Sequence, residues 1–394
     1  MATRTTTTRT TRSACAPSAD LFTPRHADFL FEDLAQAYFD CRRTKRRSGS
    51  ALRFEIDLER NLVALDEDLR SGSYRPDRSI CFVITRPKPR EVWAAEFRDR
   101  IVHHLLYNHI APSVHARFIV DSCACIPGRG TLYGAKRLEK KASSITQGWT
   151  KSAYYLKCDL ANFFVSIDKE ILGRLLTKHI AESWWRELAH QILFHDAREN
   201  YELHGSPALI ARVPPHKRLA NQPTTHGLPI GNLSSQFFAN IYLNELDQFV
   251  KHELRCRHYI RYVDDFVLLH DSAQWLNDAR TQIEQFLAKN LHAELNPTKT
   301  VLQPIHRGID FAGQVILPHR RVTRTRTLHQ AIARTAAADP KRFRDRANSY
   351  FGLLRQASHS HHARLQLART ILRRGKAVDY ELTKTFSMQC STGV

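Results

Sequence analysis

The sequence contains no long apolar run, no paired cysteines and comparatively few acidic residues. No stretch approaches the ~18 apolar residues that a membrane-spanning helix requires, so we expect no membrane partner. The eight cysteines are scattered without a CxxC pair, which is typical of a reduced protein, and we therefore expect a cytoplasmic location. Cys123 and Cys125 are too close together for a usual metal site, and we interpret them as part of a core or a turn.

The shortage of acids leaves a strongly basic chain. Its 59 Lys and Arg outnumber 39 Asp and Glu, for a formal net charge of +20, which favours an anionic partner such as nucleic acid. With 394 residues, 42% of them hydrophobic, the chain can bury a core in two or three packed units. Residues 301–376 hold 16 Lys or Arg and three acids in a helical pattern, which predicts a small helical unit with a basic face.

Local patterns divide the rest of the chain. Residues 1–25 are rich in Thr and Arg and are predicted to form a disordered basic leader, with an organelle transit peptide as the alternative. Apolar spacing predicts helices within 28–70 and over 96–110. Residues 80–84 form a short β-like run, and a proline-broken basic loop follows it.

Two segments place carboxylates at the ends of apolar strands. The run 154–159 is a predicted strand that ends in Asp159, and 257–269 is a predicted hairpin with Asp264 and Asp265 at its tip. Alone, the first is more typical of a strand that ends in a surface Asp. A surface turn is also the alternative for the hairpin, but the apolar strands on both sides should bury it. Two carboxylates about 4 Å apart repel by ~4 kcal/mol at an effective dielectric near 20. Mg²⁺ is the natural compensation, and three converging acids suit phosphoryl transfer assisted by two metal ions.

A third segment, 227–236, combines Gly, Pro and Asn into a predicted loop that enters an amphipathic helix. Asn232 or Ser234 is expected to cap that helix. By itself this segment indicates only a loop before a helix.

Together these segments follow the order of the motifs of reverse transcriptases, and the chain resembles that family from about residue 80 to residue 371. The matching segments are the YxDD-like Tyr262-Val263-Asp264-Asp265, Asp159 with Phe164 five residues later, 227–236, 291–300 with Lys299, and 308–313.

The resemblance implies an α+β, right-hand polymerase fold. Its fingers, with N-terminal helices, are expected at 26–150, a palm with an antiparallel sheet and the YxDD hairpin at 151–315, and a basic helical thumb at 316–380, before a tail at 381–394. The implied activity is RNA-directed DNA synthesis with two Mg²⁺ ions, for which Mn²⁺ is a substitute. The implied partners are template RNA, the primer–cDNA duplex and dNTPs.

The resemblance also assigns roles to single residues. The catalytic and metal-binding residues are Asp159, Asp264 and Asp265. The steric gate under the sugar is Phe164. The other nucleotide-binding residues are Arg90, Arg100, Gly231, Gln236 and Lys299, with Arg86, Lys88 and Arg98 competing for the two arginine roles. The nucleic-acid-binding residues of the thumb are Arg342, Arg344 and Arg346.

The segment 230–236 resembles the IGxxxSQ pattern of diversity-generating retroelement enzymes, which copy template RNA with errors at adenines. This subtype adds a small basic accessory protein as a candidate partner. An antiphage-defence or other bacterial reverse transcriptase remains the alternative, because the palms of these groups are similar. A second alternative is a non-catalytic nucleic-acid-binding scaffold, but the presence of all three carboxylates favours the enzyme.

Overall fold

The computed structural model describes residues 27–43, 45, 48–86 and 88–386. The predicted leader at 1–25 and residues 387–394 of the predicted tail lie outside this part of the chain. The described residues form a mixed α and β structure with helical fingers, an antiparallel palm sheet and a helical thumb, as expected for the right-hand polymerase fold.

The N-terminal region consists of helices around one β-hairpin. Its elements are α1 (Phe31–Arg42), α2 (Gly49–Glu55), α3 (Leu58–Ser71), β1 (Ser79–Ile84), β2 (Arg90–Ala95), α4 (Phe97–His115) and α5 (Thr131–Ile145). Leucines at helical spacing on α3 are buried, and Gly72 ends that helix in the left-handed conformation, with a φ of 73°. The helices expected within 28–70 are therefore present, and the helix expected at 96–110 continues to His115.

The palm is built on a four-stranded antiparallel sheet in the order β5–β6–β3–β7. The elements of this region are β3 (Tyr154–Asp159), α6 (Phe163–Ser166), α7 (Lys169–His179), α8 (Ser183–Phe194), β4 (Tyr201–His204), α9 (Pro207–Ala211), α10 (Leu233–Gln248), β5 (His258–Tyr262), β6 (Asp265–His270), α11 (Ala273–Leu291) and β7 (Val301–Pro304). Apolar residues of this sheet and of α10 and α11 share one core, which fixes the strand ends relative to the helices.

One strand from the palm region joins the sheet of the fingers. β4 pairs in parallel with β1, so that residues from within 151–315 extend the fingers sheet in the order β2–β1–β4. This pairing ties the two regions together through backbone hydrogen bonds.

The thumb follows a small sheet of β8 (Ile309–Phe311), β9 (Gln314–Leu317) and β10 (Arg320–Thr323). The predicted boundary between 315 and 316 falls inside β9. The remaining elements are α12 (Thr325–Ala336), α13 (Pro340–Leu354), α14 (His361–Leu372), β11 (Ala377–Val378) and β12 (Thr385–Phe386). These thumb helices enclose a core of their own, centred on Phe343, Phe351 and Leu367. Among the described helices, none has the length and hydropathy needed to cross a bilayer.

Candidate active site

The strand register brings the three aspartates to one end of the palm sheet. Asp159, the last residue of β3, lies opposite Asp265, the first residue of β6. β5 and β6 form a hairpin in which Tyr262 pairs with Asp265, so Val263 and Asp264 make the two-residue turn. Val263 has a φ of 56°, a left-handed conformation that costs a β-branched residue about 1–2 kcal/mol. The turn is therefore held in place by its surroundings.

Burial and mutual repulsion perturb two of these carboxylates. Burial, assisted by the negative charge of Asp159, raises the pKa of Asp264. Burial raises the pKa of Asp265 to about 6, and the charges of Asp159 and Asp264 act in the same direction. Because both effects disfavour the charged forms, a nearby cation would stabilise this end of the sheet.

Two lysines already supply positive charge to the aspartates. Lys299 Nζ lies 2.6 Å from Asp159 Oδ1, and Lys157 Nζ lies 3.2 Å from Asp265 Oδ2. Lys157 also donates to the carbonyl oxygen of Asp310, at 2.7 Å, which links the site to β8. Lys299 was predicted from the sequence but Lys157 was not. The available signal was its position two residues before Asp159, on the same face of β3.

The donor chemistry fits a divalent cation. Three carboxylates belong to this end of the sheet, and Oδ1 of Asp265 is buried without a hydrogen-bond partner. Carboxylate oxygens are the ligands that Mg²⁺ prefers. Among the described residues, no three His, Cys, Asp or Glu side chains are grouped tightly enough to hold a metal ion. The carboxylates therefore fit a divalent cation by their oxygen donors and their negative charge. Lys157 and Lys299 each contact one of these carboxylates.

The loop 227–232 is fastened to the fingers strand β2. Trp93 N donates to the carbonyl oxygen of Ile230 at 2.7 Å, and Ala95 N donates to Asn232 Oδ1 at 3.0 Å. The Asn232 amide returns a hydrogen bond to the carbonyl oxygen of Trp93. Asn232 is the N-cap residue of α10, one of the two positions expected, but its side chain makes no hydrogen bond to the helix because β2 takes it up. The neighbouring Gly231 has a φ of 129°, and a Cβ there would lie 2.7 Å from Val92 Cγ1.

Two predicted nucleotide contacts lie beside this loop. Phe164 is half-buried on α6, and its carbonyl oxygen accepts from Leu228 N at 2.8 Å, which joins the predicted gate to the loop. Gln236 is exposed on α10, and its Oε1 accepts a hydrogen bond from Cys125 Sγ at 3.2 Å. Of the two cysteines that were expected in a core or a turn, Cys123 is buried and Cys125 is exposed.

The two predicted arginines of the fingers differ in position. Arg90 begins β2, and its positive charge partly offsets the rise in the pKa of Asp264 that burial and the charge of Asp159 cause. Arg100 instead donates Nε to the carbonyl oxygen of Ala95 at 2.7 Å, and burial lowers its pKa. Its surroundings include Cys41 of α1, so the structure places Arg100 within the fingers and does not bring it to the aspartates.

The three predicted thumb arginines also separate. Arg342 and Arg344 are exposed on α13, whereas Arg346 is half-buried and donates to the carbonyl oxygen of Arg334 at 3.3 Å. A phosphate backbone can therefore reach the first two more directly than the third.

Comparisons with known proteins agree with this geometry. The family described as reverse transcriptase (RNA-dependent DNA polymerase) matches residues 85–316. Protein YkfC of Escherichia coli (strain K12) is 22% identical over 293 residues, which are 66% of this chain and 72% of YkfC.

Two telomerase structures are similar at a lower level. Apo telomerase from Candida tropicalis, truncated from its C-terminal domain, has a TM-score of 0.48 at 13% identity and covers 62% of this chain and 55% of its own. Candida albicans telomerase with a TWJ fragment of telomeric RNA has a TM-score of 0.44 at 12% identity, and covers 76% and 56%. The chain thus spans little more than half the length of either telomerase chain. The family match covers more than half of the chain and includes all three aspartates, so the chain belongs to the reverse transcriptases, the RNA-dependent DNA polymerases.

Proposed function

We propose that this reverse transcriptase extends a primer with dNTPs on template RNA, by phosphoryl transfer at Asp159, Asp264 and Asp265. The observation that carries the proposal is the cross-strand pairing of Asp159 with Asp265, with Asp264 next to it in the turn. Two Mg²⁺ ions, or Mn²⁺ in their place, would supply activation of the primer 3′-hydroxyl and charge neutralisation at the triphosphate.

The protein's own residues position the reactants. The aspartates would hold the metal ions at the end of a rigid sheet, where separate strands fix the distance between the carboxylates. Arg90 on β2 and Lys299 supply positive charge to the aspartates, as an incoming triphosphate requires. Phe164 and the loop at Gly231 would contact the sugar and the nascent pair, because the hydrogen bond from Leu228 to Phe164 joins them into one surface.

Primer extension tests this function directly. The purified protein is given a labelled primer on an RNA template with dNTPs and Mg²⁺, in parallel with Asp159→Asn and with an EDTA control. We expect extension by the wild type only, with a greater rate on the RNA template than on DNA of the same sequence. Binding of the primer–template without extension, under Mg²⁺ and under Mn²⁺, would contradict the proposal and favour the scaffold.

We further propose that the chain is the error-prone enzyme of a diversity-generating retroelement, with a small basic accessory protein as partner. The support is the segment 230–236, whose Gly231 lies against β2 and whose Gln236 lies beside Cys125. The test is sequencing of cDNA made on one RNA template. An excess of errors at template adenines is expected, and uniformly low error at all four bases would favour an antiphage-defence enzyme.

A further inference from the structure

Arg261, three residues before Asp264, is a fully buried charge. Its side chain and that of Asp247 on α10 are both 0% exposed. Arg261 Nε donates to Asp247 Oδ1 at 2.8 Å, and Nη2 donates to Oδ2 at 2.6 Å, so the pair is bidentate. Buried ion pairs are often replaced by apolar residues with no loss of stability. Stability alone therefore does not explain why a strand of the palm carries this arginine.

The remaining donors of Arg261 connect α10, the turn after β5 and a residue N-terminal to the palm. Nη1 donates to Asn240 Oδ1 at 3.2 Å and to the carbonyl oxygen of Val263 at 3.0 Å, while Nη2 donates to Ser122 Oγ at 3.0 Å. All five N–H donors of the guanidinium are thus used. Its backbone is fixed as well, because Arg261 N donates to the carbonyl oxygen of Asp121 and Arg261 O accepts from Cys123 N.

The contact with the Val263 carbonyl acts directly on the catalytic turn. That carbonyl belongs to the planar peptide group between Val263 and Asp264, so its direction fixes the position of the Asp264 backbone nitrogen. Val263 occupies the left-handed region, which valine avoids unless neighbouring groups hold it there. The guanidinium is rigid and is anchored at Asp247, Asn240 and Ser122, so it can hold that peptide group against relaxation of the turn.

We propose that Arg261 is a positioning residue for polymerisation, which holds the strained turn at Val263 and thereby aims Asp264. The proposal rests on the proposed polymerase function, because it concerns the orientation of a carboxylate used in that reaction. It predicts that loss of the bidentate, forked geometry slows the chemical step more than it weakens binding of the primer–template or of dNTP.

Single-turnover primer extension separates these effects. Arg261→Lys keeps the positive charge but cannot reproduce the forked contacts. Tyr259→Phe is the matched control, because the Tyr259 hydroxyl donates to the same Asp247 Oδ1 at 2.8 Å but does not contact the turn. We expect Arg261→Lys to lower the rate of the chemical step by about tenfold or more, with dNTP affinity within about twofold. We expect Tyr259→Phe to lower the Tm while its rate stays within about twofold of the wild type.

A second substitution tests the strain itself. Glycine adopts the left-handed conformation without cost, so Val263→Gly should make the turn less dependent on Arg261. We expect the rate of the double variant to exceed that of Arg261→Lys alone by about threefold or more. A double variant as slow as Arg261→Lys, or equal rate losses in Arg261→Lys and Tyr259→Phe, would overturn the proposal.

Hydrogen exchange of the metal-free protein gives a readout that needs no polymerase activity. Amides of the turn at 262–265 should exchange about tenfold faster in Arg261→Lys than in the wild type or in Tyr259→Phe. Equal exchange in all three proteins would overturn the positioning role even if the wild type polymerises. Absence of extension by the wild type, together with faster exchange of the turn amides in Arg261→Lys, would instead contradict the proposed function and leave the structural role of Arg261 supported.

Discussion

Asp159 and Asp265 are direct cross-strand partners at the ends of β3 and β6. A shift of this register by one residue would turn one of the two side chains to the opposite face of the sheet. The apolar residues between the strands and the palm helices resist such a shift, because it would also expose the buried face of each strand. The position of the carboxylates is thus a consequence of the core beneath them.

Asp264→Asn should abolish cDNA synthesis and leave RNA binding nearly unchanged. The substitution removes the charge but keeps the shape of the side chain, so binding of the metal ions is affected first. The matched control is Asp271→Asn, which alters an exposed carboxylate after the far end of the same hairpin, with its side chain 77% exposed. Primer extension and an RNA-binding titration measure the two effects. Polymerisation by Asp264→Asn at near the wild-type rate would argue against the assignment of Asp264.

The sequence predicted the elements that carry the aspartates because their patterns are local. Apolar strands that end in acids, and a hairpin with Asp264 and Asp265 at its tip, need no knowledge of distant residues. The antiparallel palm sheet that carries these strands followed from the resemblance to reverse transcriptases. The sequence also indicated a basic helical segment, which the thumb helices α12 to α14 contain.

Contacts between residues that are far apart in the sequence could not be predicted from the sequence. Arg90 and Arg100 are both basic residues of the fingers, and only the fold shows that Arg90 acts on Asp264 while Arg100 bonds to the carbonyl oxygen of Ala95. Asn232 has the residue type of a helix cap and occupies the N-cap position of α10, but its side chain makes two hydrogen bonds to β2 instead. Spacing along the chain could not reveal either outcome, because each depends on which tertiary neighbour lies nearby.

Phe164→Ala should allow ribonucleotides into the active site. If the ring lies under the sugar, its removal takes away the steric cost of a 2′-hydroxyl, and preference for dNTP over rNTP should fall by about tenfold or more. The comparison is kcat/KM for the two nucleotides. Phe163→Leu is the control, because that neighbouring ring is buried in the palm core and should affect stability only. An unchanged ratio in Phe164→Ala would assign the gate to another residue.

The thumb arginines should differ in their effect on nucleic-acid binding. Arg342→Ala and Arg344→Ala remove exposed charges from α13, so each should flatten the salt dependence of duplex binding by roughly 0.7 to 0.9 per lost phosphate contact. Arg346→Ala should mainly lower thumb stability, since that side chain bonds to the carbonyl oxygen of Arg334. Titrations at several salt concentrations and on two unrelated sequences measure this. An effect confined to one sequence would contradict contact with the backbone.

Acid stability should depend on His258 in β5. Burial lowers its pKa from 6.5 to about 4, and the charges of Lys141, Arg257 and Lys251 add to the effect against a weaker opposing one from Asp121. The fold therefore favours neutral His258, and this contribution is present above pH 6.5 and is lost as the pH falls towards 4. We expect His258→Gln to lose a few degrees less in Tm between pH 7.5 and 5 than the wild type does. His252→Gln, at an exposed position, is the control and should lose as much Tm as the wild type. A Tm loss in His258→Gln equal to that of the wild type would count against this role of His258.

The error spectrum should depend on Gln236. Its side-chain amide can donate and accept, and Cys125 occupies the acceptor oxygen, so the amide donor is the group free to meet a base or sugar. Because the segment 230–236 is proposed to make the enzyme error-prone, we expect Gln236→Ala to lower the rate of errors at template adenines by about three- to tenfold. Each ~1.4 kcal/mol of discrimination is worth a factor of ten. Cys125→Ala should have a smaller effect in the same direction, because it only frees the orientation of the amide. Sequencing of cDNA from one RNA template measures all four bases together.

Gln248→Ala provides the matched control for this experiment. Gln248 is the last residue of the same helix, and its amide bonds to Asn244 and to the carbonyl oxygen of Arg117, away from the loop at Gly231. Its substitution should leave the error spectrum unchanged while the helix stays intact. If Gln236→Ala and Gln248→Ala give the same spectrum as the wild type, Gln236 only packs at the start of α10. An equal rise in error at all four bases in Gln236→Ala would assign it a general role in fidelity, without preference for adenine.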